Sequence, residues 1–86
     1  MALKGATMTQ EQREFTYGEK AVGLTFNPGN NKDVDKCKQA FADFIDNMND
    51  LRNVTHDAEV KRMCSVAITE AQTAQMWAVK AITWKS

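Results

Sequence analysis

Few side chains in this sequence are equipped for bond-making or bond-breaking. There is one histidine, His56, and it falls where a helix is expected to start, so a solvated role fits it better than a catalytic one. Asp43, Asp46 and Asp50 follow one another at three- and four-residue steps, which reads as the wet side of a helix more readily than as an acid/base pair. Cys37 and Cys64 are far apart in the chain, each on an apolar helical face with no second Cys or His at ligand spacing. Buried free thiols are the expectation for both, ahead of a disulfide. With no nucleophile–base pair and no metal cluster in view, an enzyme is not expected, and neither is a metal or a cofactor.

Binding chemistry is better represented. Tyr17 stands in the stretch "EFTYGEKAVGLTFNPGNN", and Lys20, Lys32, Lys36 and Lys38 cluster around the turn that follows it. An aromatic ring can stack on a base while ammonium groups neutralise phosphate, and such stacking is worth about 1–3 kcal/mol per base. The competing reading is structural, with Tyr17 closing the end of a helical core.

These residues need elements to hold them. Thr16 with Glu19 forms a possible capping box, as does Thr9 with Gln12, and a short helix from about Tyr17 to Val22 is predicted to stop at Gly23. "FNPGNN" then breaks the pattern into a loop. From about Asn31 to near Arg52, Val34, Cys37, Phe41, Phe44, Ile45, Met48 and Leu51 recur at helical steps and predict one buried stripe. Thr55 is the predicted N-cap of a last helix, with Asp57 and Glu59 favourably placed in its first turn. Val60, Met63, Cys64, Ala67, Ala71, Ala74, Ala78 and Ala81 give that helix a stripe rich in small residues, which permits close helix approach. Met76, Val79 and Thr83, with Trp77 and Trp84 beside them, give it a second apolar stripe, more than one hairpin partner can cover. The expected fold is all-α: a short N-terminal helix followed by a two-helix antiparallel hairpin, assembled into a homo-oligomeric bundle.

Length and charge set the wider bounds. At 86 residues the chain is one domain, 1–86, with residues 1–12 expected to be weakly ordered, and so small a core favours sharing between subunits. Eleven basic and eleven acidic residues sum to zero charge, which argues against a DNA or RNA polymer as partner. No segment approaches the ~20 apolar residues that span a bilayer, and no signal peptide is visible, so a cytoplasmic location is expected and "NVT" at Asn53–Thr55 reads as a turn.

Read together, "FTYGEKAVGLTFNP" and "AITEAQTAQMWAVKAITW" resemble the small phage proteins that defeat CBASS immunity, the anti-CBASS cyclic-dinucleotide sponge family, with the sponges of T4-like phages the nearest in character. The resemblance implies a helical hairpin assembled as a hexamer, a trimer of dimers, that holds a 3′,3′-cGAMP-type cyclic dinucleotide at subunit interfaces without cleaving it. It also implies that a tyrosine of the N-terminal arm stacks on a purine and that a lysine of a neighbour's first long helix packs on the ligand. Tyr17 takes the first role. At the second, the family's slot falls on Asp35, so the adjacent Lys36 is the candidate, ahead of Lys32 and Lys38; Gly18 and Lys20 of the arm motif complete the set. Some family members bind cyclic trinucleotides through an arginine of the last helix, where this chain has Ile68 and its nearest arginine is Arg62. The rival function is a helical oligomer that blocks a host protein through its apolar surface; a helix-turn-helix DNA binder is disfavoured by the charge and by the alanine- and tryptophan-rich last helix.

Overall fold

The computed structural model describes residues 13–85. The expectation of weak order in residues 1–12 and the Thr9–Gln12 capping box lie outside them. Three helices make up the described chain: α1 (Tyr17–Val22), α2 (Lys32–Val54) and α3 (Ala58–Ile82). Among the described residues there is no strand. α2 and α3 form the hairpin, and α1 folds back along α2 with little contact to α3.

Each boundary has a local cause. Thr16 caps α1 and Gly23 ends it in the left-handed region at φ 61°, with its amide turned back to the Glu19 and Lys20 carbonyls. A β-carbon is unfavourable in that conformation, so glycine is the natural stop. Asn31 caps α2 by accepting the amides of Asp33 and Val34. The cap of α3 differs from the sequence expectation. Asp57, not Thr55, accepts the Glu59 and Val60 amides, at 2.9 and 3.4 Å. Thr55 instead closes α2, its amide bonded to the Leu51 carbonyl, while its hydroxyl accepts the Asp57 amide at 3.1 Å. Both side chains can accept the free amides, but Thr55 is taken up in closing α2, and the Asp57 carboxylate has the helix dipole in its favour as well.

The core is narrower than the predicted stripes. Val22, Leu24, Ala42, Ile45, Ile68 and Ala71 form its buried cluster, with Phe15, Phe41 and Met48 packed at its edge. Because α1 covers one side of α2 and α3 another, the buried arc of α2 runs through Lys38 and Ala42. Phe44, Leu51 and Met63, expected inside, are exposed on the face that no part of the described chain covers. Ile68, on the other hand, is deeply buried. Cys37 is half-buried and Cys64 buried, both as free thiols.

Candidate functional site

The arm that carries Tyr17 is tied down at both ends. Glu19 accepts the Thr16 amide at 3.0 Å while the Thr16 hydroxyl accepts the Glu19 amide at 3.1 Å, closing the capping box. Arg13 grips the same carboxylate with two bonds, at 2.8 and 3.1 Å. That guanidinium fork is the main reason the Glu19 carboxyl is held down at about 2; the Thr16 amide and Gln39 add to it, and burial opposes it. At the far end, Leu24 and Gly23 donate their amides back into α1.

Gly18 is the point where α1 touches α2. Its amide donates to Asp46 Oδ1 at 2.7 Å, and a β-carbon there would lie 2.1 Å from the Ala42 carbonyl oxygen. Only glycine lets the two backbones come this close. Tyr17, one residue earlier, is therefore carried on a fixed base yet is 46% exposed. The Arg52 guanidinium lies over the ring, 5.5 Å from its centroid, and is itself held by Asn49 Oδ1 at 2.7 Å and Ser65 Oγ at 3.0 Å. Tyr17 is thus not a buried core anchor; it rests against a cation at the surface.

The lysines divide into different environments. Lys38 is buried, and its amine donates to the Gly23 carbonyl at 3.0 Å and to the Phe26 carbonyl, which clasps the loop between α1 and α2. Lys20 is exposed, 3.6 Å from the Glu14 carboxylate. Lys32 opens α2 at the surface. Lys36 lines a polar cleft of about 490 Å³ together with Asp35, Gln39 and Thr25. Gly18 offers no free amide, since Asp46 occupies it.

Tyr17 and Lys36 have different surroundings: Tyr17 lies beside Arg52, toward the C-terminal end of α2, and Lys36 lines a cleft near its start that neither Tyr17 nor Arg52 lines. Three participants escaped the sequence reading: Arg13, Arg52 and the anchoring role of Asp46. The capping-box spacing pointed to Glu19, but nothing in the spacing marks which arginine would reach it. Asp43 accepts from Gln39 at 3.0 Å, and Asp50 and His56 are exposed. Among the described residues, no three His, Cys, Asp or Glu side chains gather as a metal site.

The fold and this arrangement define a small helical-hairpin protein built to present side chains for binding. The family model described as Acb2/Tad1, hairpin domain, matches residues 19–83, and the chain belongs to that family. The family is one of anti-CBASS cyclic-nucleotide sponges, binding proteins that are not enzymes. The match takes in the whole hairpin and begins two residues after Tyr17. No curated protein and no solved structure matches the chain. No described helix is long and apolar enough to cross a membrane.

Proposed function

We propose that the protein is a phage counter-defence sponge of the kind found in T4-like phages. In this reading it sequesters a 3′,3′-cGAMP-type cyclic dinucleotide in the host cytoplasm, without cleaving it, and so starves CBASS effectors of their signal. The observation that carries this is Tyr17, a half-exposed ring on a helix that Gly18 locks against α2. Tyr17 is the plate for a purine, and Lys36 of a neighbouring subunit lies against the ligand, with Lys20 and Lys32 adding positive charge at the rim. Tyr17 lies beside Arg52 while Lys36 lines a cleft that Tyr17 does not line, which supports a site shared between chains. A near-twofold ligand with two bases and two phosphates suits an isologous interface that supplies each group twice.

The apolar side chains left exposed on both long helices, Phe44, Leu51 and Met63, support assembly. A hexamer arranged as a trimer of dimers is the proposed state.

The deciding experiment loads excess protein with 3′,3′-cGAMP, removes free ligand, heat-denatures the complex and separates what is released by chromatography. Intact cyclic dinucleotide is expected. Linear dinucleotide or mononucleotides would overturn sequestration without turnover. The exposed Trp77, Trp84 and Met76 favour a second reading, a module that blocks a host protein through this surface; absence of any thermal shift across a panel of cyclic dinucleotides would favour it.

A further inference from the structure

A cavity of the described chain lies away from Tyr17, where the loop after α1 faces the end of α3. It measures about 600 Å³, within the range of small-molecule sites. Phe26 stands on its loop side and Trp84 on its α3 side, 73% and 66% exposed. Pro28, Val34, Val79 and Ile82 complete its apolar wall, and among the described residues no carboxylate lines it.

The wall carries positive charge instead. Lys38 lines the cavity and is 5% exposed, held by the Gly23 and Phe26 carbonyls and lying 5.5 Å from the Phe26 ring centroid. An ammonium has three protons to donate, and the two carbonyls take two of them. Among the described residues no carboxylate pairs with Lys38. Lys85 adds a second cation at the mouth. A buried cation compensated only by carbonyl dipoles leaves a positive potential in a low-dielectric wall, and an anion at the cavity reduces that cost.

The aromatic plates are held, not loose. The Phe26 amide donates to Gly23 at 2.9 Å, and Asn27 and Asn31 bind one another across the turn, at 2.8 and 3.2 Å. Lys80 lies 5.9 Å from the Trp84 ring centroid and 5.2 Å from that of Trp77, a cation beside both indoles. Two exposed aromatic rings lining one cleft, with a buried cation beside Phe26 in the same wall, match a ligand with one flat ring and one anionic group.

We propose that this cleft is a binding site for a singly phosphorylated nucleoside, its base stacking on Phe26 and Trp84 and its phosphate facing Lys38 and Lys85. The site is separate from the Tyr17 position, since neither Tyr17 nor Arg52 lines it. It needs one chain only, in contrast to the shared site.

The test titrates the full chain with 5′-AMP, adenosine and inorganic phosphate, by calorimetry and by following the indole N–H resonance of Trp84. Saturable binding of 5′-AMP is expected, with the Trp84 resonance moving. Adenosine should bind at least several-fold more weakly, and phosphate alone should leave the indole unmoved. Phe26→Ala and Trp84→Ala should each weaken 5′-AMP about fivefold to 150-fold, the range for losing a stacked ring. Lys85→Gln should weaken 5′-AMP but not adenosine. Tyr17→Ala, which tests the sponge site, should leave 5′-AMP binding unchanged. The proposal is overturned by non-saturable binding, by wild-type affinity in Phe26→Ala and Trp84→Ala, or by loss of 5′-AMP binding in Tyr17→Ala. It is equally overturned if the Trp84 resonance responds to protein concentration and not to nucleotide, which would mean that a second copy fills the cleft.

Discussion

Gly18→Ala is the sharpest test of how Tyr17 is presented. The added methyl would meet the Ala42 carbonyl at 2.1 Å and 2.9 Å and the Asp46 carboxylate at 2.9 Å, and two of those three atoms are backbone. α1 must therefore lift from α2. Lifting breaks the 2.7 Å bond from the Gly18 amide to Asp46, worth about 1.5–3 kcal/mol for a charged acceptor. Accommodating an extra methyl at a packed contact costs about 1–3 kcal/mol. Alanine's better helix propensity returns about 1 kcal/mol, so the net loss is about 1.5–5 kcal/mol. For a domain of this size that lowers Tm by about 6 °C or more. Alternatively, α1 detaches while the hairpin survives, and the loss then appears as fast amide exchange confined to Tyr17–Val22. Thermal denaturation at fixed protomer concentration, with hydrogen exchange on α1, reads both outcomes. A Gly18→Ala protein with parental Tm and protected α1 amides would refute the close approach of the two backbones, and with it the fixed base under Tyr17.

Glu19 makes a pH prediction: its carboxyl, depressed to about 2 by the Arg13 fork, contributes stability that is complete above the ordinary carboxylate range and lost as pH falls from about 4.5 toward 2. Glu19→Gln should flatten that acid limb in chemical denaturation at a series of pH values, and an unchanged limb would contradict the pairing. Tyr17→Ala should weaken 3′,3′-cGAMP by about 1–3 kcal/mol for each stacked base while Tyr17→Phe keeps most of the affinity and neither melts early; calorimetry and unliganded melting curves give the two numbers. Native mass spectrometry at micromolar protein should show a hexamer, and a monomer there would remove the shared site.

The local signals in the sequence translated almost directly into structure where one residue decides the outcome. Thr16 with Glu19, Gly23, the "FNPGNN" break and Asn31 each act on their own backbone, so α1 and the start of α2 fell where the spacing put them. The burial of α2 was harder to read, because it depends on two partners at once. Lys38 looks polar in any periodicity, yet its stem crosses the core and its amine reaches carbonyls of a loop fifteen residues away. Phe44 and Leu51 look like core and are left open because the described chain has no third layer to cover them. Thr55 and Asp57 are both good caps, and only the path of the chain out of α2 decides between them. For the site, the aromatic was legible and its support was not: nothing in the order of residues says that Gly18 abuts Ala42 or that Arg52 comes to lie over Tyr17.

Positions 17 and 18 are neighbours under opposite demands. Every side chain other than hydrogen is shut out of position 18 by a carbonyl of α2, so that residue has no room for change. Position 17 is held by the same contact but its half-exposed ring projects outward, meeting α2 through the Arg52 guanidinium and not through the core. On the proposed function, the surface that meets a messenger is thereby uncoupled from the scaffold that carries it, and Phe, Trp or His can be tried at 17 one substitution at a time without compensating changes in the fold.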